Sequence, residues 1–219
     1  MRYWLGIGKM FGILCFGDSI TFGVGERPTS GWVGRLKEHH ETKDQFNYVV
    51  NLGFPGHNSF DLLERIEAET KTRSRIKRPT DKFVIILSIG TNDCRWEDFE
   101  NKVPKISIED FRKNINSIIE KAKKNPAEIV FVGIPPVDEK LTSPFEGEYH
   151  FTNERVELFN NTIKEACEEN KVLFLDILGS FNDNNTSSLF EDGLHPNSEG
   201  YELIYEKIKE FLIKKEIIK

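Results

Sequence analysis

Residues 13–23 have the sequence Ile-Leu-Cys-Phe-Gly-Asp-Ser-Ile-Thr-Phe-Gly, and this stretch decides how the rest of the chain is organised. The apolar run at 12–16 predicts a short buried strand, which ends where Gly17 begins a turn. Ser19 therefore follows the carboxyl end of a strand, the edge at which open parallel sheets bind ligands and carry out chemistry. By itself, the Gly-Asp-Ser sequence is equally typical of a plain turn in which Ser19 caps the next helix.

Strands and helices are predicted to alternate along the rest of the chain. Apolar and β-branched runs predict strands at 48–52, 83–87, 129–132 and 172–175, and helical spacing of apolar residues predicts helices between them. Asn58 is the predicted cap of the helix after the second strand. The pattern predicts an α/β fold: a three-layer α/β/α sandwich around a five-stranded parallel sheet in the flavodoxin-like order 2-1-3-4-5.

The composition favours one domain and a small-molecule partner. The chain shows no repeat or domain linker, so residues 1–219 are predicted to form one domain, with residues 1–9 as an extension or alternative start before the first strand. Hydrophobic residues make up 38% of the chain, which is enough for one substantial core. The net charge of -6 argues against nucleic acid binding, which requires a basic surface.

The cysteines and the apolar runs bear on the compartment. Cys15, Cys94 and Cys167 are widely spaced and form no paired motif, so neither a disulfide framework nor a zinc site is expected. No apolar run approaches the roughly 18 residues that span a bilayer, and residues 1–10 lack the features of a secretion signal. We therefore predict reduced thiols, a cytoplasmic location and no membrane span, whereas the oligomeric state stays undetermined.

Residues that can carry chemistry follow the predicted strand ends. Ser19 follows the first strand, Gly56 the second and Asn92 the third, and the loop after the fifth strand contains Asp192 and His195. Because the carboxyl ends of parallel strands lie at one edge, these residues are expected to meet there. A nucleophilic serine needs a base, the base needs an orienting carboxylate, and the developing oxyanion needs fixed donors. The sequence contains a candidate for each role.

Four sequence blocks indicate a family. The order Ser, Asp, His also occurs in α/β-hydrolases, but their Gly-x-Ser-x-Gly elbow is absent around Ser19. The chain instead resembles the GDSL or SGNH hydrolase family of esterases and lipases. Its blocks are matched, in the family's order, by Gly-Asp-Ser-Ile-Thr-Phe-Gly at 17–23, Asn-Leu-Gly-Phe-Pro-Gly-His at 51–57, Gly-Thr-Asn-Asp at 90–93 and Asp-Gly-Leu-His-Pro at 192–196.

The resemblance implies a role for each candidate. Ser19 would be the nucleophile, His195 the general base and then general acid, and Asp192 the residue that orients the imidazole. The oxyanion hole would consist of the backbone N–H groups of Ser19 and Gly56 and the side-chain amide of Asn92. The residues alone do not choose between Gly53 and Gly56. The family's glycine is the later one, which leaves Gly53 as a turn residue.

The resemblance also implies the reaction, which is hydrolysis of a small-molecule ester through an acyl-serine, without a metal or organic cofactor. We expect small or short-chain acyl esters, such as acetyl or aryl esters, because the connection at 137–152 is only moderately long and suggests a shallow site. The alternatives are a lysophospholipase or acyl-thioesterase, which an extended apolar groove would favour. A non-catalytic module that holds an anion or sugar is a remote alternative, since it would need no base aligned with Ser19.

Several other residues have two interpretations. His57 adjoins Gly56 and is a rival base, although substrate contact or exposure is the favoured interpretation. Asp18 and Asp93 are interpreted as turn formers bonded to local backbone, and Arg95 and Trp96 as exposed loop residues rather than a pocket wall. The basic run at 71–78 is interpreted as a solvated helix end. The remaining histidines are predicted to lie on the surface: His39, His40 and His150.

Overall fold

The structure, a computed structural model, describes residues 10–28, 31–74, 81–181 and 186–219. Residues 1–9 and the second half of the basic run lie outside this part of the chain. The strands are β1 (Phe11–Gly17), β2 (Asn47–Gly53), β3 (Lys82–Ser88), β4 (Trp96–Asp98), β5 (Val103–Pro104), β6 (Glu128–Val132) and β7 (Leu173–Leu175). The α-helices are α1 (Ser19–Phe22), α2 (Gly31–Glu41), α3 (Ser59–Arg73), α4 (Ile108–Lys123), α5 (Glu139–Thr142), α6 (Asn153–Asn170) and α7 (Ser198–Lys214).

The main sheet is parallel and has the order β2-β1-β3-β6-β7. Because β6 and β7 are the fourth and fifth strands of this sheet, the predicted order 2-1-3-4-5 is confirmed. β1 pairs along its whole length with both neighbours, so that Gly17 lies opposite Gly53 on one side and Ser88 on the other. The loops that follow β1, β2 and β3 therefore start at the same level of one sheet edge.

Helices cover both faces of the sheet, which confirms the three layers. In β1, Leu14 and Phe16 pack into the cluster under α3, α4 and α6, whereas Ile13 and Cys15 pack under α2 and α7. All four side chains are 0% exposed. Successive strand residues point to opposite faces, so an unbroken apolar run is what a strand buried on both faces requires.

The β2–α3 turn is held by the start of α3. Asn58 Oδ1 accepts hydrogen bonds from the backbone N–H groups of Phe60 and Asp61, and Asp61 Oδ2 accepts one from Asn58 N at 3.0 Å. This reciprocal capping satisfies N–H groups that have no acceptor within the helix. The predicted cap at Asn58 is confirmed, and it fixes the turn that contains Gly56.

Two small elements differ from the sequence prediction. β4 and β5 form an antiparallel pair, and α5 lies within the 137–152 connection. β4 and β5 are three and two residues long, too short for an alternating pattern to show. A contact from outside the pair supports it, because His150 pairs with Trp96. Within the turn between β4 and β5, the Lys102 ammonium lies 4.1 Å from the Phe99 ring centroid.

The prediction that His40 lies on the surface is wrong. His40 is 3% exposed, its ring meets the Phe11 ring edge-on at 4.6 Å, and its Nε2 lies 3.3 Å from the Phe11 carbonyl oxygen. Burial lowers the pKa of this imidazole. His40 lies on the inward face of α2, a position that only packing against β1 reveals.

No helix in the described ranges is long and apolar enough to cross a membrane.

Gly53 is a packing residue and not the turn residue that we expected. It ends β2, and a Cβ atom added there would lie 2.2 Å from the backbone nitrogen of Phe22. α1 can therefore lie against the end of β2 only because Gly53 has no side chain. This close approach carries Ser19 to its place beside the β2–α3 turn.

We expect Gly53→Ala to lower the free energy of unfolding by about 2 kcal/mol or more, because the added methyl group would force α1 away from the sheet. Urea denaturation measures the change. The matched control is Gly179→Ala, since a Cβ atom at this exposed position meets nothing within 4 Å. The control should change stability by less than about 0.5 kcal/mol. Equal effects at both positions would contradict the steric explanation.

Candidate active site

Ser19, His195 and Asp192 form a chain of hydrogen bonds at the carboxyl edge of the sheet. His195 Nε2 lies 3.0 Å from Ser19 Oγ, and His195 Nδ1 lies 2.7 Å from Asp192 Oδ2. The other carboxylate oxygen accepts from the backbone N–H groups of His195 at 2.7 Å and Leu194 at 2.9 Å. With Nδ1 donating to the carboxylate, Nε2 is free to accept the Ser19 proton. The three residues that the sequence singled out are thus brought together.

Asp192 is held in its ionised form. Burial acts to raise its pKa, but the hydrogen bonds from the His195 ring and the backbone outweigh burial, so the pKa of Asp192 lies below its ordinary value. A carboxylate that stays charged at neutral pH can stabilise an imidazolium on His195.

Asp18 caps the helix in which Ser19 is the first residue. Its side chain is 1% exposed and accepts a hydrogen bond from Ile20 N at 2.9 Å, so it caps the short helix that begins at Ser19. Burial raises the pKa of Asp18 to about 6, although hydrogen bonds from Ile20 N and the Thr91 side chain and the attraction of the His195 ring act to lower it. As interpreted from the sequence, Asp18 bonds to local backbone.

Three groups that could donate to an oxyanion lie at the same edge. Ser19 is the first residue of α1, and N–H groups in the first turn of a helix have no acceptor within it. Gly56 has a φ of +81°, which favours glycine, and nothing would lie within 4 Å of a Cβ atom there. Asn92 Nδ2 donates to the carbonyl oxygen of His57 at 2.9 Å, which orients the amide and leaves its second hydrogen available.

Asp93 differs from its predicted role as a local turn former. It is 0% exposed, and its carboxylate accepts from Ser59 N at 2.9 Å and from Ser59 Oγ at 2.5 Å, across 34 residues of sequence. Burial raises the pKa of Asp93 to about 6. Asn92 and Asp93 therefore hold the segment between β2 and α3 at two points, the His57 carbonyl and the Ser59 N–H. A backbone partner so distant in sequence leaves no local signal.

His57, the rival base, is occupied elsewhere. Its Nδ1 accepts a hydrogen bond from Arg65 Nε at 3.2 Å, and its ring packs on the Phe54 ring at 4.1 Å. His195 is the histidine within hydrogen-bonding distance of Ser19 Oγ. Sequence analysis missed Arg65 and Ser59, because a charged residue on a helix and a serine at its start are ordinary features.

The 137–152 connection packs against the catalytic loop candidate. Asp138 N donates to the Gly193 carbonyl at 2.9 Å, and the Phe145 ring lies edge-on to the His195 ring at 6.3 Å. Arg95 stacks on the Tyr149 ring at 3.9 Å. Phe145 and Tyr149 thus form a wall on the His195 side of the edge, and Arg95 supports it.

The interpretation of Arg95 and Trp96 as exposed loop residues is wrong. Both are half-buried, and the guanidinium of Arg155 covers the Trp96 ring at 4.3 Å.

Within the described part of the chain, no three His, Cys, Asp or Glu side chains are arranged to hold a metal ion.

A serine, a histidine and an aspartate joined in this order at one sheet edge are the arrangement found in serine hydrolases on several folds. The sequence agrees with that class, because residues 15–203 match the sequence model of the GDSL-like Lipase/Acylhydrolase family. The chain belongs to this family of hydrolases, as the four blocks predicted.

Individual proteins show the same relationship. The chain is 28% identical to the uncharacterized protein YpmR of Bacillus subtilis (strain 168), over 93% of this chain and 82% of YpmR. The crystal structure of a lipase/acylhydrolase from Enterococcus faecalis has the same fold, with a TM-score of 0.72, 22% identity and coverage of 94% and 97% of the two chains. Axe2, an acetylxylan esterase from Geobacillus stearothermophilus, gives a TM-score of 0.70 at 20% identity, with 95% of each chain covered.

The raised pKa of Asp18 predicts how its removal changes the pH dependence of stability. The folded chain retains the Asp18 proton up to about pH 6, so this stabilisation is present at low pH and is lost as the pH rises from 3.8 through about 6. Between pH 4.5 and 7.5, wild type should therefore lose about 1 to 2 kcal/mol more stability than Asp18→Asn. Urea titrations at both pH values measure this.

Glu100→Gln is the control for this measurement, because it removes an exposed carboxylate and leaves the buried ones in place. Its pH dependence should match that of wild type. If Asp18→Asn also matches wild type, Asp18 does not titrate in this interval.

Proposed function

We propose that the protein is a serine esterase that hydrolyses small or short-chain acyl esters through an acyl-serine intermediate. The observation that carries the proposal is the hydrogen-bonded chain from Ser19 through His195 to Asp192. A ligand-binding protein would have no need of a base aligned with a serine hydroxyl and oriented by a carboxylate. The family to which the chain belongs supports the same reaction class.

Acylation begins when Ser19 Oγ attacks the ester carbonyl carbon and His195 Nε2 takes the hydroxyl proton. The tetrahedral oxyanion accepts hydrogen bonds from the Ser19 and Gly56 backbone N–H groups and from Asn92 Nδ2. Asp192 stabilises the imidazolium that forms. The bond to the alcohol oxygen then breaks, and His195 Nε2 gives its proton to the leaving alcohol.

Deacylation repeats these steps with water in place of the alcohol. His195 Nε2 takes a proton from water as its oxygen attacks the acyl carbon, and the same three donors hold the second oxyanion. The bond to Ser19 Oγ breaks, His195 returns the proton to that oxygen, and the carboxylic acid leaves. The cycle consumes one water, and the side chains and backbone N–H groups named here carry out every step.

Short acyl groups are favoured by the wall on the His195 side. Phe145 stands at the edge of the His195 ring, and Asp138 ties the 137–152 connection to the catalytic loop. Ser19 itself is only 8% exposed, which leaves limited space around the attacking oxygen. The acetylxylan esterase Axe2, with the same fold, acts on an ester of this size according to its name.

A second candidate, a lysophospholipase or acyl-thioesterase, is favoured by one observation. Phe22 and Phe54 are 51% and 56% exposed, and both adjoin Gly53 near the turn that carries Gly56. Exposed aromatic side chains beside an oxyanion donor could lie along a longer acyl chain. The chain-length profile distinguishes the two candidates.

We expect wild type to cleave chromogenic esters from acetate upward, and Ser19→Ala to lose at least about 1,000-fold in kcat/KM. A fluorophosphonate probe should label wild type and not Ser19→Ala. The exposed Ser187→Ala serves as the control and should retain both activity and labelling. Rates that fall toward decanoate support the short-chain proposal, and rates that rise beyond about eight carbons support the second candidate. Full activity in Ser19→Ala would overturn the mechanism.

We expect Asn92→Ala to lower kcat by about 100- to 1,000-fold, because it removes one oxyanion donor, with little change in KM. The comparison variant is Asn101→Ala, whose amide bonds to Asp98 in the exposed β4–β5 turn. Steady-state kinetics on the best short ester should leave this variant near wild type. If Asn92→Ala raised KM and left kcat unchanged, the result would contradict a role of Asn92 in the transition state.

A further inference from the structure

Arg65 on α3 reaches both chain segments that border the site. Its Nη2 donates to the Gly17 carbonyl at 3.0 Å, and its Nε donates to His57 Nδ1 at 3.2 Å. Gly17 ends β1 two residues before Ser19, and His57 directly follows Gly56. One guanidinium thus bridges the two segments that contain the proposed backbone donors.

The bridge is reinforced by backbone contacts. The Gly17 carbonyl also accepts from Phe54 N at 3.1 Å, so the end of β1 receives one bond from the β2–α3 turn and one from α3. On the other side, the His57 carbonyl accepts from Asn92 Nδ2. All three proposed oxyanion donors are therefore connected to Arg65 through one or two hydrogen bonds.

The half-buried position of Arg65 makes these bonds costly to lose. Burial lowers its pKa, which shows that the surroundings desolvate the charge. Both acceptors named here are neutral, a carbonyl and an imidazole nitrogen. A planar guanidinium can meet two acceptors at fixed directions, which the point charge of a lysine ammonium does not do.

The contact also defines the protonation of His57. An arginine can only donate, so His57 Nδ1 must lack a proton and act as the acceptor. The neutral ring then carries its proton on Nε2. This tautomer is an observable that depends on Arg65 and not on catalysis.

We propose that Arg65 is a positioning residue of the oxyanion hole. Its hydrogen bonds hold the end of β1 and the Gly56–His57 turn at a fixed position relative to each other, and this aligns the Ser19, Gly56 and Asn92 donors. This inference rests on the proposed function. Arg65 makes no contact with the reacting atoms and acts through His57 and Gly17.

The test is a double-mutant cycle in steady-state ester hydrolysis. Arg65→Gln should lower kcat by about 10- to 100-fold with little change in KM, since a displaced donor loses transition-state bonding more than ground-state binding. Combined with Asn92→Ala, its further effect should shrink to about threefold or less, because both changes damage the same hole. If Arg65→Gln does not fold, Arg65→Lys replaces it in the same kinetic cycle, and its kcat should lie between that of wild type and the value expected for Arg65→Gln.

Arg112→Gln is the matched control, because Arg112 also lies on a helix, α4, and pairs with Glu165 on α6. It should leave kcat near wild type and add its effect independently to Asn92→Ala. Unchanged kcat in Arg65→Gln, or a loss that multiplies fully with that of Asn92→Ala, would overturn the proposal and leave Arg65 a structural residue.

A second readout separates this inference from the esterase proposal. The ¹⁵N shifts of His57 in the Ser19→Ala chain should show the neutral Nε2–H tautomer, and Arg65→Gln in that background should shift the ring toward a mixture. If Ser19→Ala keeps full activity, the esterase mechanism fails and the oxyanion-hole role fails with it, while the tautomer reports on the Arg65 contact alone. An Nδ1–H tautomer in the presence of Arg65 would overturn the positioning role.

Discussion

The pairing of β1 with both of its neighbours is the constraint on which the rest of the structure depends. Parallel register along Phe11–Gly17 places Gly17 level with Gly53 and Ser88. The segments that follow can then meet within hydrogen-bonding distance, as the bond from Phe54 N to the Gly17 carbonyl shows. A shift by one residue would turn every β1 side chain to the opposite face and separate these loops. Fold stability and site geometry therefore rest on the same ladder of hydrogen bonds.

Two carboxyl groups at this edge of the sheet, those of Asp18 and Asp93, are buried, and the hydrogen bonds that they accept also order the site. Asp18 caps the helix that begins at Ser19, and Asp93 holds Ser59 at the start of α3. Burial raises the pKa of both carboxyl groups to about 6, which indicates a free-energy cost of ionisation at neutral pH. Groups kept in such surroundings cluster where proteins require fixed geometry more than stability.

The wall of the site, formed by Phe145 and Tyr149, and the base of the site belong to different parts of the fold. The base consists of strand ends, whereas Phe145 and Tyr149 belong to a connection that packs on the His195 loop through Asp138. Loops on a rigid scaffold can vary without disturbing the sheet. The reaction chemistry is therefore associated with the sheet edge, and we expect the choice of ester to depend on the connection and on the exposed Phe22 and Phe54.

The sequence by itself determined the alternation of strands and helices, the strand order, the family and the candidates Ser19, Asn92, Asp192 and His195, whereas the choice of Gly56 over Gly53 came from the resemblance to the family. These follow from turn residues, periodicity and short blocks, which are signals within a few neighbouring positions. Only the tertiary structure decided that Arg65 bonds to Gly17 across 48 residues, that Asp93 bonds to Ser59 across 34, and that His40 is buried. The physical reason is that a polar side chain on a helix or in a turn looks the same in sequence whether it meets solvent or a distant backbone group, and only packing supplies that partner.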